Sequence, residues 1–258
     1  MNVILIGGTI EALVLAHHLQ AEHHVSIIEL EAELGLPAMH PGRVVNPELL
    51  NEYMTEEQQN FLLLSENDQG WGCRWDWVLK HLAANISRKG VQCFTRTRIL
   101  SCSKENEEYI LELSSTERHL PTHLTADRVI VMSPSQTPGP GRRQHCLEPS
   151  QPEHFPSNTV IEWKGGTVLT EDAKKAPSTD LHLNRGDGMT ELWWKEEIKW
   201  EPPRGFFEST SVVLSANPDE LSFDGVVSRV LDYVADSCLL YTSPSPRDRT
   251  RSRMPSSA

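Results

Sequence analysis

The residues that most clearly suggest chemistry are a glycine turn near the start of the chain and an acid further on. Residues 7–12 read Gly-Gly-Thr-Ile-Glu-Ala and follow the apolar run 3–6, whereas Glu29 directly follows a second apolar run, 25–28. Amides that open a helix lack intrahelical partners and can bind a phosphate. An acid about 20 residues later can accept hydrogen bonds from a ribose. The spacing therefore predicts a site for the phosphates and sugar of a nucleotide.

The elements that must position these residues can be predicted from hydrophobic patterns. The run 3–6 is apolar and β-branched, which is typical of a strand buried on both faces. Residues 10–20 place their apolar side chains on roughly one helical stripe, and residues 25–28 form a second buried strand. Strand, glycine turn, helix, strand and acid, in this order, are typical of a Rossmann-type dinucleotide site. We therefore expect an α/β fold in which helices cover a Rossmann-type parallel sheet.

The turn departs from the G-x-G-x-x-G/A spacing at one position. Gly7 fits the first glycine, which lets the chain leave the strand sharply, and Ala12 fits the small residue that ends the motif. Thr9 stands where the second glycine should let the backbone approach the phosphates, and Glu11 places a negative charge near an anion site. A βαβ unit that binds nothing is therefore the alternative interpretation.

Few other residues suggest chemistry. Arg43 lies in the predicted loop 30–45 and could approach a bound pyrophosphate, although a surface arginine is the alternative. The histidine pairs 17–18 and 23–24 are poor metal ligands, because neighbouring helix positions point in different directions. No G-x-S-x-G or H-E-x-x-H motif is present. We therefore predict no metal site and name no catalytic acid, base or nucleophile.

The rest of the chain predicts further helices and strands. The sequence Asn-Pro-Glu at 46–48 predicts a helix that runs to about Leu64, and the apolar stripe in 74–88 predicts another. Ser222 is expected to cap a last helix over 223–236. Strands are predicted at 91–94, 98–102, 109–113, 126–132, 160–163, 167–170, 180–183, 190–194 and 212–214, with hairpin turns at 165–166 and 185–188.

Composition divides the chain into four predicted segments. Residues 1–134 form the Rossmann-like nucleotide-binding domain, and 135–158, rich in proline, glycine and serine, form a linker. Residues 159–237 form a smaller, mostly antiparallel β domain for the substrate. Residues 238–258 resemble a translated sequencing adapter and are set aside as a disordered tail. The natural protein is then expected to continue past Ser237, with a genuine Ser/Pro/Arg-rich tail as the alternative.

Charge and cysteine content narrow the class of protein. The net charge of −12 disfavours a nucleic acid or an anionic membrane as the main partner. The cysteines are scattered without a C-x-x-C pair, as expected of reduced thiols in a cytoplasmic protein. No run approaches the length of a membrane span, and the first residues lack the basic start of a signal peptide.

Three stretches resemble the FAD-dependent oxidoreductases with a glutathione-reductase-type Rossmann domain, a broad group that includes flavin monooxygenases. They are residues 3–12 together with Glu29, the helix 74–82, and the strand 126–131. The resemblance covers about half of the chain. It departs from the family at Thr9 and again at 132–134, where Met-Ser-Pro replaces A-T-G. The family's later G-D segment is not visible.

The resemblance implies an FAD-binding oxidoreductase that acts on a small molecule. It implies that Glu29 contacts the adenosine ribose and that Arg43 and Arg74 lie near the phosphates. One alternative is a non-catalytic relative that has lost its cofactor. Another is an NADPH-dependent reductase, because residues 7–12 also resemble the G-G-T-x-E-A turn of precorrin-6A reductases. The residues expected at the pyrophosphate turn are Gly7, Gly8, Thr9 and Ala12.

Overall fold

Fifteen strands and five helices are present in the described part of the chain. The computed structural model describes residues 1–117, 119–132, 144–147, 152–196, 199–237 and 239. Two short 3₁₀ helices cover Pro47–Glu52 and Pro218–Leu221. In chain order the elements are β1 (Asn2–Ile6), α1 (Ile10–Leu19), β2 (His24–Ile28), β3 (Arg43–Val44), α2 (Glu56–Asn60), β4 (Ser65–Asn67), β5 (Gly70–Gly72), α3 (Trp75–Arg88), β6 (Gln92–Phe94), β7 (Thr97–Glu105), β8 (Glu108–Ser115), β9 (His123–Ala126), β10 (Arg128–Val131), β11 (Glu153–His154), β12 (Val160–Leu169), α4 (Thr170–Ala173), β13 (Leu181–Asn184), β14 (Met189–Trp194), β15 (Glu208–Ser215) and α5 (Phe223–Asp236).

A five-stranded parallel sheet forms the centre of the molecule, with the order β11-β10-β1-β2-β6. The chain leaves β1 toward β2 on one side and returns to β10 on the other side. Strand order therefore reverses at β1, and ligands of open α/β sheets bind beyond the carboxyl ends of strands at such a switch point. The predicted glycine turn lies at this carboxyl end.

Alternate residues of β1 face two different layers. Val3 and Leu5 pack with the apolar faces of α1, α3 and α5. Ile4 and Ile6 pack with the antiparallel sheet β7-β8-β9, which covers the opposite face. Because side chains alternate along a strand, a strand between two layers must be apolar at every position, as the run 3–6 is. The Rossmann-type α/β fold predicted from the sequence is confirmed.

The last helix packs into the core of the parallel sheet. Residues of α5 such as Phe223, Val226 and Val230 are buried together with residues of α1. The range 159–237, predicted as a β domain, thus contributes a helix to the predicted nucleotide-binding domain. Its strands β12 to β15 form a separate four-stranded antiparallel sheet around two tryptophan-rich clusters.

The prediction of a hairpin at Gly165 and Gly166 is wrong. Both lie inside β12, which runs unbroken and pairs with β14 on one side and β15 on the other. A Cβ on Gly165 would stand 2.4 Å from the Trp193 ring, and one on Gly166 would stand 2.5 Å from the Phe206 ring. These glycines make room for aromatic rings that cross the strand, and do not turn the chain. The turn at 185–188, by contrast, joins β13 and β14 as predicted.

The helix predicted from 46 to Leu64 is divided. The 3₁₀ helix Pro47–Glu52 ends before Thr55, which starts α2 with a capping box. Thr55 accepts a hydrogen bond from the amide of Gln58, whose side chain accepts one from the amide of Thr55. Because a cap residue needs extended backbone, Thr55 interrupts the helix.

A small antiparallel sheet, β3-β5-β4, connects the two larger parts. The amide of Gly186, in the β13–β14 turn, donates to the carbonyl of Leu63 at 2.7 Å. The amide of His182 donates to Oε1 of Gln69 at 2.6 Å. One backbone hydrogen bond and one hydrogen bond to a glutamine side chain thus join the hairpin of the β sheet to the segment before α3.

Several predicted segments fall partly or wholly on residues that the structure leaves undescribed. The tail 238–258 lies outside the described residues except for Leu239, and the A-T-G position is described only at Met132. Within the predicted linker 135–158, the described part includes β11, which pairs with β10. None of the described helices is both long enough and apolar enough to cross a membrane.

A buried histidine makes stability depend on pH. His17 packs against the ring of Tyr53 at 4.6 Å, and burial lowers its pKa to about 4 from an ordinary 6.5. Between pH 6.5 and about 4, His17 is therefore protonated in the unfolded chain but neutral in the folded chain. Stability falls as pH drops through this window. We expect urea unfolding at pH 4.5 to show about 1–2 kcal/mol less stability from this residue than at pH 7.

The His17→Leu variant should lose this part of the pH dependence. The exposed His24 provides the matched control, and His24→Leu should keep the wild-type profile. Equal pH profiles for wild type and His17→Leu would contradict the assignment.

Candidate cofactor site

The glycine turn occupies the switch point of the parallel sheet. Gly7 has φ of +101°, a left-handed conformation that favours glycine, and its amide donates to the carbonyl of Ile28 at 2.9 Å. The turn thus runs from the end of β1 across the end of β2 before α1 begins. This conformation gives the sharp exit from β1 that was expected of Gly7, whereas its contact with a cofactor stays a prediction.

Glu29 faces this turn. The amide of Gly8 donates to Oε2 of Glu29 at 2.6 Å, and the amide of Glu31 donates to Oε1 at 2.9 Å. A Cβ on Gly8 would lie 2.7 Å from Cδ2 of Leu34 and 3.1 Å from Oε2 of Glu29. The structure therefore brings the acid and the glycine turn together, although 21 residues separate Gly8 from Glu29 in the chain.

Thr9 and Ala12 lie at the start of α1. Thr9 is the N-cap, and its hydroxyl accepts a hydrogen bond from the amide of Ala12 at 3.3 Å. Ala12 has no exposed surface, which agrees with the need for a small residue here. The cap uses one of the amide donors at this helix start, so that Thr9 stabilises α1 while reducing the donors open to a ligand.

A cation that the sequence analysis missed neutralises Glu11. Nη2 of Arg229, in α5, lies 2.5 Å from Oε1 of Glu11. The two residues are 218 positions apart, and no local pattern connects them. The sequence shows Glu11 as a negative charge near the expected anion site, but it does not point to Arg229 as the partner.

The segment 38–46 lies where three helices begin. His40 stacks on Trp75, the first residue of α3, with ring centroids 4.7 Å apart. Burial lowers the pKa of His40, against the opposing effect of its contact with the carbonyl of Pro41. Asp224, in the first turn of α5, accepts hydrogen bonds from the amides of Val45 and Asn46 at 2.7 and 2.9 Å. The helix starts thus converge on one loop.

Arg43 has a structural set of partners. Its Nε donates to the carbonyl of Gln69, and its Nη1 donates to the carbonyl of Pro218 and to Asp219. These contacts tie β3 to the 3₁₀ helix before α5. None of these three acceptors lies in the glycine turn.

Arg74 is the N-cap of α3 and the residue before Trp75. Its Nη2 donates to Asp76 at 3.0 Å, and its guanidinium lies 5.7 Å from the centre of the Trp77 ring. Its Nε is buried and has no hydrogen-bond partner within the part of the chain that is described. A buried donor without an acceptor is costly, so Arg74 has hydrogen-bonding capacity for a further group.

A buried carboxylate of the four-stranded antiparallel sheet contacts the segment 38–46. Oε2 of Glu191, in β14, accepts from the amide of Gly42 at 2.9 Å, and Nη1 of Arg185 lies 3.5 Å from its Oε1. Burial raises the pKa of Glu191, against the opposing effect of Arg185 and the Gly42 amide. No local pattern in the sequence marks Glu191, because its partner Gly42 lies 149 positions away.

The donors and acceptors at the turn are of the types that bind the phosphates and the ribose of a nucleotide. The first turn of α1 presents backbone amides and the positive end of a helix dipole, and Glu29 lies beside it to accept hydrogen bonds from hydroxyls. The narrow space at Gly8 leaves no room for a Cβ. In the described residues, no group of three or more histidine, cysteine, aspartate and glutamate side chains could hold a metal ion.

Comparisons with known proteins identify similar folds. No protein-family model matches the sequence, and no curated protein matches it. The p-nitrophenol 4-monooxygenase of Pseudomonas putida DLL-E4 aligns with a TM-score of 0.61 at 11% identity, over 92% of this chain and 79% of that chain. A geranylgeranyl bacteriochlorophyll reductase-like protein of Thermoplasma acidophilum aligns with a TM-score of 0.54 at 14% identity. That alignment covers 84% of this chain and 66% of the reductase-like chain.

At these identities the likeness concerns the fold. Both alignments extend over the parallel sheet and into the antiparallel part, since each covers more than four fifths of this chain. The chain therefore has a Rossmann-type α/β fold with an additional, mostly antiparallel β part, an architecture shared with a monooxygenase and a reductase-like protein.

Proposed function

We propose that the chain is an FAD-binding oxidoreductase that acts on a small molecule. The observation that carries the proposal is the position of Glu29 beside the glycine turn, at the switch point of the sheet. This position puts a carboxylate beside the amides at the start of α1, which supports a site for a ribose and a pyrophosphate, and two structures of similar fold are a monooxygenase and a reductase-like protein. A bound flavin would supply hydride or electron transfer, whereas the protein supplies binding, orientation and electrostatics.

The proposed roles follow from the contacts of each residue. Gly7 turns the chain at the end of β1, Gly8 lets Glu29 approach the backbone of the turn, and Thr9 with Ala12 fixes the start of α1. Glu29 would exchange its bond to the Gly8 amide for bonds to the ribose hydroxyls. The unpartnered Nε of Arg74 would donate to a phosphate or to the ring system. Arg43 would act indirectly, by holding the loop in place.

A non-catalytic relative without a cofactor is the second candidate. It is favoured by Thr9, whose hydroxyl uses the amide of Ala12, and by Glu29, which uses the amide of Gly8. Two donors of the phosphate turn are then already bonded within the protein. This candidate and the first one differ in a single measurable property, the affinity for the nucleotide.

The test is titration of the purified chain with FAD, NADPH and NADP, followed by flavin fluorescence and calorimetry. Saturable binding of FAD at a stoichiometry of one would support the proposal. Tight NADPH binding without flavin binding would instead favour a nicotinamide-dependent reductase. Binding of none of these nucleotides would favour the non-catalytic relative and contradict the proposal.

The Glu29→Ala variant should bind FAD about 10- to 100-fold more weakly. Two hydrogen bonds from hydroxyls to a charged acceptor would be lost, at about 1.5–3 kcal/mol. Calorimetric titration measures the change. Glu31→Ala is the matched control, since this neighbouring acid is exposed and contacts Glu29 through its backbone amide, which the substitution keeps. Equal affinities of both variants would contradict the role of Glu29.

A further inference from the structure

The ion pair between Arg229 and Glu11 lies at the first turn of α1, where the pyrophosphate would bind. Glu11 is the second residue of this helix, and its carboxylate is 17% exposed. A carboxylate in the first turn stabilises the helix, but it also repels a phosphate placed there. Arg229 is the basic residue that contacts Glu11 in the described structure, so this pair sets the local charge.

Arg229 is held in place by the packing of α5. Val226, Val227 and Val230, which flank Arg229 along this helix, are buried in the core that also contains α1. The guanidinium also lies 6.0 Å from the centre of the Phe155 ring, just beyond the carboxyl end of β11. An arginine fixed on both sides loses little side-chain entropy when it binds an anion.

Arg229 has donor capacity beyond the ion pair. Its Nη2 serves Glu11, whereas its Nε is buried without a hydrogen-bond partner among the described residues. Its side chain is 23% exposed and also lines a cavity of about 430 Å³ with Phe155, Tyr233 and the acids Asp232 and Asp236, a cavity separate from the glycine turn. A guanidinium with five donors can bind a carboxylate and a second anion at the same time.

We propose that Arg229 is a positioning residue for the pyrophosphate of the bound nucleotide, acting on it from the ion pair with Glu11. This inference rests on the proposed function. Arg229 cancels the repulsion by Glu11 at the first turn of α1, where the phosphates would lie. Glu11 in turn limits the affinity, because it competes with the phosphates for the same guanidinium.

The test measures ADP and adenosine binding to four forms of the full chain by calorimetry. These are wild type, Arg229→Gln, Glu11→Gln, and the double variant. Arg229→Gln should weaken ADP binding about 10- to 100-fold, and Glu11→Gln should strengthen it about 2- to 5-fold. Adenosine has no phosphate, and its affinity should change less than about twofold in all forms. The effect of Arg229→Gln should also shrink at high salt.

Two further measurements distinguish this role from a purely structural one. Arg88→Gln removes the same charge at the far end of α3, and should leave ADP affinity unchanged. Thermal unfolding reports any loss of packing, and the double variant should recover stability if only the ion pair matters. Equal ADP affinity of Arg229→Gln and wild type would overturn this proposal while leaving the flavin site standing. Failure of the wild type to bind either ADP or FAD would instead overturn the proposed function, and this inference with it.

Discussion

Replacing Glu191 by alanine should lower the free energy of unfolding by about 3–5 kcal/mol, the usual cost of breaking a buried ionic contact by removing one partner. Glu191 is 7% exposed and accepts the Gly42 amide at 2.9 Å. Its loss leaves that buried amide without an acceptor and leaves Arg185 paired with Asp187 alone. The cavity left by the side chain adds to the cost.

The Glu191→Gln variant separates charge from shape. Glutamine keeps an oxygen that can accept the Gly42 amide. Because it is uncharged, it avoids the cost of burying an ionised carboxylate, which is what raises the pKa of Glu191. We expect it to change stability by no more than about 1–2 kcal/mol. A raised pKa means that folding favours the protonated form of Glu191. The stability that this residue contributes therefore declines as pH rises above 4.5. The glutamine variant, which does not titrate, should lack this decline.

Urea unfolding monitored by tryptophan fluorescence measures both variants. Trp193, whose Nε1 lies 3.4 Å from Oε2 of Glu191, reports on the surroundings of this carboxylate. The exposed Glu208 at the start of β15 offers a control, and Glu208→Ala should be neutral within about 0.5 kcal/mol. If Glu191→Ala were as neutral as this control, the hydrogen bonds that Glu191 accepts from Gly42 and Trp193 would not stabilise the fold.

The Gly8→Val variant should lose at least about 100-fold in FAD affinity. The space for a Cβ at Gly8 is taken by Cδ2 of Leu34 and by Oε2 of Glu29, so a branched side chain must displace both groups. Glu29 would then leave its place beside the turn, and the added methyl groups would block the approach to the amides. This is the largest effect expected on binding.

The fold should survive this substitution. The nearest obstacle is the end of a leucine side chain, which can move, so that we expect a loss of about 1–3 kcal/mol. Gly90→Ala is the control for backbone strain, because Gly90 has φ of +96° and open space around it. It should cost about 1 kcal/mol without changing FAD affinity. Flavin binding by Gly8→Val at the wild-type affinity would contradict the assigned site.

The sequence alone determined the elements whose signal is local. The run 3–6 is apolar at every position because β1 lies between helices and an antiparallel sheet, and the pattern could be read without knowing either layer. The caps at Thr55 and Ser222 depend on residues three positions away, although only Ser222 was predicted. The register of Glu29 with the glycine turn was likewise visible, since a βαβ unit has a nearly fixed length.

Only the tertiary structure decided which distant residues meet. Arg229 contacts Glu11 across 218 positions, and Glu191 reaches Gly42 across 149. Gly165 and Gly166 were misinterpreted as a turn because glycine has the same sequence signal whether it bends the chain or admits an aromatic ring. A hydrophobic pattern records that a face is buried, but not which element buries it. Long-range partners are fixed by the packing of complementary surfaces, and this information is not contained in any single segment.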